Sequence, residues 1–253
     1  MKKIFYFLII VLLFSFIGSL FLIPNNDINE NNNSNHTSNV VDFTGMKYLA
    51  FGDSITAGGG LSSKTYSYPN VVAKTLNMIV KNQGVNGSTL GKDTANEDRH
   101  CIADDIIEFT TNTTNYDIIS VTGGSNDKGR QIPLGNLTNN TNSSVYGSLN
   151  LIAETLTKRY PNAFIFFMTP IKNPTCEEPN NLGYTLKDIC SAIKEVANKY
   201  NIPVLDLYNT SQYESADCGM YADGSDGWHP NQQFVADYLA PQIKQFIKDN
   251  YKK

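Results

Sequence analysis

A chain of 253 residues with 41% hydrophobic composition can bury a sizeable core, and with its first segment set aside it fits one ordinary domain. A formal net charge of −4 provides no positive field that would gather a polyanion, so nucleic acid is excluded as a partner. Three histidines and four widely spaced cysteines match no zinc pattern, and no metal or other cofactor is expected.

Lys2 and Lys3 precede an almost wholly apolar stretch from Ile4 to Ile23, the charged-then-hydrophobic order that directs a chain into or across a membrane. At about twenty residues the stretch is long enough to span a bilayer. No clear small-x-small cleavage site follows it, which favours an uncleaved anchor slightly over a removed signal peptide. Everything beyond it is expected outside the cytoplasm, secreted or held at the outer face, with the membrane touched only through this segment. Residues 25–45, rich in Asn and Ser, bury too little apolar surface to offset their ordering entropy and read as a flexible linker. Residues 46–253 remain as the folded domain, expected to be a monomer.

Through that domain short apolar runs alternate with segments of helical period. The runs are Tyr48–Phe51, Met78–Val80, Ile118–Val121, Phe164–Met168 and Val204–Leu207. Between and after them, Tyr68–Leu76, Ile102–Phe109, Val145–Tyr160, Leu182–Tyr200 and Gln232–Ile247 read as helices. Strands apolar on both faces and separated by helices predict a five-stranded parallel sheet covered on each side, a three-layer α/β/α fold of flavodoxin-like type. Function in such a fold gathers in the loops at the carboxyl ends of the strands. Gly52-Asp53-Ser54, Gly84-Val85-Asn86-Gly87 and Gly123-Gly124-Ser125-Asn126-Asp127 follow the first three strands, and Asp226-Gly227-Trp228-His229 lies beyond the fifth.

Ser54 sits where the first strand stops, and a serine hydroxyl is a weak nucleophile until a neighbouring base takes its proton. His36 falls in the linker, and His100 has no carboxylate three or four residues away on a likely strand-end loop. His229 has Asp226 three residues before it, a spacing that places the carboxylate where it fixes the imidazole tautomer. The alternative is that Asp226 and His229 only cap the last helix, which starts after Pro230. Acyl transfer also needs hydrogen-bond donors aimed at the developing oxyanion. The Ser54 N–H, the N–H of Gly87 and the side-chain amide of Asn126 are candidates, against the plainer reading of Gly87 and Asn126 as turn formers.

The blocks Phe51-Gly52-Asp53-Ser54, Asn82-Gln83-Gly84-Val85-Asn86-Gly87, Gly124-Ser125-Asn126-Asp127 and Asp226-Gly227-Trp228-His229-Pro230 resemble, in order and spacing, the four signature blocks of the SGNH (GDSL-type) hydrolases. The resemblance covers the chain from about Lys47 onwards. It implies the flavodoxin-like sheet, Ser54 as nucleophile, Asp226 and His229 as orienter and base, and Ser54, Gly87 and Asn126 as the oxyanion hole. Asp53 and Asp127 fit the pattern as acceptors that hold their loops.

The expected reaction is hydrolysis of a carboxylic ester through an acyl-enzyme, with a small acyl ester or an acetylated extracellular glycan as substrate. Tyr66, Tyr68, Tyr221 and Trp228 lie near the motifs, where aromatic faces could pack on sugar rings, and Tyr66, Tyr68 and Trp228 are the candidate substrate contacts. Lys128 and Arg130 are candidates for an anionic group, or are simply solvated. No long apolar lid is evident. A lipase or thioesterase, an O-acyltransferase with the same triad, and a surface glycan-binding module without chemistry are the alternatives. Cys101, Cys176, Cys190 and Cys218, in an exported domain, are compatible with one or two disulfides.

Overall fold

The computed structural model describes residues 41–109, 115–210 and 228–252. The candidate leader at 4–23, and Asp226, Tyr221 and Cys218, lie outside the described residues. No helix among the described residues is long and apolar enough to cross a membrane.

Strands β1 (Lys47–Gly52), β2 (Ile79–Gly84), β3 (Ile118–Thr122), β4 (Phe164–Met168) and β5 (Val204–Leu205) form one sheet in the order β2-β1-β3-β4-β5, and every neighbouring pair is parallel. Helices α1 (Ser54–Ala57), α2 (Tyr68–Thr75), α3 (Ile102–Glu108), α4 (Ser125–Arg130), α5 (Val145–Arg159), α6 (Leu186–Lys199) and α7 (Leu207–Thr210) intervene. The chain closes with α8 (Gln232–Phe234), a π-helical stretch at Val235–Leu239, and α9 (Ala240–Asn250).

Side chains of a strand alternate between its two faces, and a central strand apolar at every position therefore feeds two cores. Leu49 and Phe51 of β1, Ile119 and Val121 of β3, and Ile165 and Phe167 of β4 pack with α3, α5 and α6. Tyr48 and Ala50, Ile118, Phe166 and Met168 point the other way, onto α2 and the C-terminal helix. The three-layer α/β/α architecture expected from the sequence is thereby obtained. Its topological switch point falls between β1 and β3, the two strands that lead into Ser54 and Asn126.

The element boundaries differ from the sequence expectation in four places. β2 extends to Gly84 through Lys81, Asn82 and Gln83, because an edge strand exposed along one side does not need apolar residues throughout. β5 stops at Leu205, since the Asp206 carboxylate turns the chain by accepting from Thr169 Oγ1, Lys194 Nζ and Asn209 Nδ2. α6 starts at Leu186 and not Leu182. Gly183 sits at φ 82°, outside helical space, and Thr185 with Asp188 forms a capping box that sets the start. In the C-terminal helix Pro241 has no N–H to return to the preceding turn, and the stretch before it widens to π geometry. The compact body also begins at Val41, earlier than expected, with Phe43 buried against Tyr251.

The disulfide expectation is corrected. Cys101, Cys176 and Cys190 are all free and buried, and Cys101 donates its S–H to the Leu90 carbonyl at 3.1 Å. Burial pushes the Cys101 thiol up to about 12.

Candidate active site

The floor of the site is built by the turn from β1 into α1. Asp53 caps α1 by accepting the Ile55 N–H at 3.0 Å, which fixes Ser54 as the first residue of the helix with its hydroxyl at the carboxyl edge of the sheet. α1 lies so close to the end of β2 that a side chain at Gly84 would stand 2.3 Å from the Ala57 nitrogen, so glycine alone fits there. Asn82 secures the same junction, donating to the Thr56 carbonyl at 2.7 Å.

His229 arrives from the other end of the chain. Its Nε2 lies 2.8 Å from Ser54 Oγ, the geometry in which the imidazole takes the serine proton. It precedes α8, whose cap is Asn231, with the Phe234 N–H on Asn231 Oδ1 at 2.8 Å. Asp226, expected to orient His229, lies outside the described residues. His100 is elsewhere, its Nδ1 2.9 Å from Asp105 at the start of α3.

β3 contributes the third side of the site. Asn126, in the first turn of α4, donates from Nδ2 to the Ser88 carbonyl at 2.9 Å. Gly87 precedes Ser88, with φ 76°, a conformation that favours glycine, and its carbonyl accepts from Arg99. The loop after β2 is thus tied to α4. Asp127 ties it a second time, accepting the Leu90 and Gly91 N–H groups at 2.8 and 2.9 Å.

Both aspartates of these turns are buried, and burial raises both carboxyls. Asp53 is pushed up to about 6, offset in part by the Ile55 N–H and by the charge of His229. Asp127 is pushed up to about 7 against the opposing pull of its two backbone donors.

Ser54, Asn126, Trp228 and His229 line one cleft of about 290 Å³, together with Asp53, Ile55, Ser125, Gly129, Arg130, Ile171 and Asn173. Trp228 is 42% exposed at its edge. The other two aromatic candidates are corrected. Tyr68 is 1% exposed, in the core, with its hydroxyl 3.1 Å from Thr56 Oγ1. Tyr66 ends a 3-10 turn and does not line the cleft. Both are near Ser54 in sequence, but the glycine-rich stretch between carries the chain away. Gly87, itself outside the lining residues, is tied to the cleft through its neighbour Ser88, whose carbonyl the Asn126 amide holds. Lys128 is spoken for, its ammonium held by the carbonyl and hydroxyl of Thr175. Ile171 and Asn173 were missed by sequence reading, although they follow the carboxyl end of β4, where the strand-end rule points. Among the described residues no group of three or more His, Cys, Asp or Glu side chains could hold a metal ion.

No match is found among curated proteins. Solved structures with the same fold include a protein from Lactobacillus plantarum, 26% identical, with a TM-score of 0.69 over 83% of this chain and 99% of that one. A lipase/acylhydrolase from Enterococcus faecalis is 22% identical, with a TM-score of 0.58 over 82% of this chain and 97% of that one. A carbohydrate esterase family 2 enzyme with a carbohydrate-binding domain, from Corynascus thermopiles, is 17% identical, with a TM-score of 0.56 over 81% of this chain and 66% of that one. The model of the GDSL-like lipase/acylhydrolase family matches residues 50–234, a stretch that begins in β1 and ends in α8. The activated serine at its start and the histidine near its end agree with that match: the chain belongs to the GDSL-like lipase/acylhydrolase family and is a hydrolase of ester bonds.

Proposed function

We propose that the enzyme is a carbohydrate O-acetylesterase, acting on an extracellular glycan and held outside the cytoplasm by its apolar leader at 4–23. The observation that carries the reading is the shape behind the nucleophile. Ile55 and Ile171 separate the open cleft from a second, largely apolar hollow lined by Met168, Leu207 and Leu239, and that hollow has only about 10 Å³ of free space. A void of that size holds about one water, so an acetyl methyl fits against the two isoleucines and a long acyl chain does not. The cleft also carries polar side chains from Ser125, Asn126, Arg130 and Asn173, with Trp228 exposed at its edge to stack on a sugar ring. The fold is shared with a carbohydrate esterase, which is consistent with such a substrate.

In the reaction Ser54 Oγ attacks the ester carbonyl carbon as His229 Nε2 takes its proton. The oxyanion is received by the N–H of Ser54, the N–H of Gly87 and the Asn126 amide. His229 then protonates the departing sugar hydroxyl, leaving an acetyl-enzyme. Water activated by His229 attacks that ester and releases acetate, with Asp226 holding the imidazole in its productive tautomer throughout. No cofactor takes part in this sequence.

The test is hydrolysis of p-nitrophenyl acetate, p-nitrophenyl octanoate and acetylated glucomannan by the full chain, with Ser54→Ala as the blank. Turnover of acetyl esters and at least about a tenfold drop in kcat/KM for the octanoate are expected. Preference for the octanoate would overturn the acetylesterase reading in favour of a lipase or thioesterase.

A further inference from the structure

Besides the two isoleucines, the cleft is lined by two side chains that offer hydrogen-bond donors, Arg130 and Asn173. Arg130 ends α4, four residues and one helical turn beyond Asn126, so the two share a face of the helix and both line the cleft. Its guanidinium is exposed and has no ion-pair or hydrogen-bond partner among the described residues. Lys128, two residues earlier, spends its charge on Thr175 and leaves Arg130 as the cation of this helix that reaches the cleft. Asn173 stands in the same cleft with its Oδ1 already accepting the Thr175 N–H at 3.2 Å, which leaves its amide nitrogen, a pure donor, for the space it lines. The one acid among the described lining residues is Asp53, 4% exposed and turned to its cap.

An arginine fork beside a second donor matches the planar, two-oxygen geometry of a carboxylate. We propose that Arg130, with Asn173, receives a carboxylate on the substrate, and that the preferred ester is therefore the O-acetyl group of a sugar acid. The inference rests on the acetylesterase reading, and it places the charge on the alcohol half because the isoleucine wall leaves no room for it on the acyl half.

Steady-state kinetics of the full chain on acetylated polygalacturonate and on neutral acetylated glucomannan decide the matter, with p-nitrophenyl acetate and p-nitrophenyl hemisuccinate as small probes. The wild type is expected to favour the acidic glycan by about tenfold or more in kcat/KM, chiefly through KM, and added salt should shrink that ratio. Arg130→Gln should bring the ratio close to one, and Arg130→Lys should keep part of it. An equal ratio in wild type and Arg130→Gln, or a wild-type preference for the neutral glycan, overturns the proposal. Arg130-dependent preference for the hemisuccinate over the acetate also overturns it, by moving the carboxylate to the acyl side. Failure of p-nitrophenyl acetate turnover above the Ser54→Ala blank would instead sink the esterase reading itself.

Discussion

Ser54 and His229 are 175 positions apart in sequence and 2.8 Å apart in space, and each is fixed by a short cap from its neighbours, Asp53 on one side and Asn231 on the other. The hydroxyl therefore meets its base without a search through rotamers. His229→Ala should lower kcat by about 10³-fold or more while leaving the thermal midpoint within a few degrees, and a loss below tenfold would show that another group takes the proton. Asn126 Nδ2 holds the Ser88 carbonyl, and in the proposed mechanism the same nitrogen is also the donor offered to the oxyanion. Asn126→Ala is expected to cost about 10²-fold in kcat with little change in KM; a loss confined to KM would assign it to ground-state binding. Asp226→Asn should cost most of the rate through the wrong imidazole tautomer, and a near-normal rate would mean that a different acceptor orients His229. The pairing of Ser54 with His229 was legible because its chemistry is local: a serine at a strand end and a histidine just before the last helix. The substrate contacts were not, because proximity in sequence is a poor guide to which face of a helix a residue takes. Tyr68, fourteen residues after Ser54, went into the core beneath the site, whereas Asn173, far away in sequence, lines the cleft.

At the level of elements, the central strands declared themselves by apolar runs that two cores require, and the long helices by their period. α1 and α4 did not. At 4 and 6 residues they are too short for any periodic pattern to emerge, yet they carry Ser54 and Asn126. Edge strand β2 was underestimated for the opposite reason, its outer half being as polar as a loop. The junction of β2 with α1 is where packing and chemistry meet. Gly84→Ala would drive a methyl group into the Ala57 backbone, and neither partner is a side chain that can swing aside. Destabilisation of about 3 kcal/mol in urea, together with loss of activity as α1 shifts, is the expected result. Full activity at unchanged stability would mean that β2 is free to slide outward.

Across the whole molecule, buried carboxyls set the response to pH. The Asp127 carboxyl titrates near 7 in the folded state against an ordinary value of 3.8, so between about pH 4 and 7 the unfolded chain has released a proton that the folded chain retains. The contribution of this group to folding is largest below that window and is lost as pH rises through it, by on the order of 4 kcal/mol at about 1.36 kcal/mol per pH unit. Asp53, raised to about 6, acts in the same sense. Denaturant unfolding at several pH values should show that slope, and Asp127→Asn should flatten it; an unchanged slope would place its origin in other groups.

The buried, unpaired cysteines bear on how the enzyme is made. Cys101, Cys176 and Cys190 are all free, so no covalent cross-link joins the described residues. The described body is thus held by noncovalent contacts alone. It should fold equally well in a reducing compartment and regain activity from urea with or without dithiothreitol.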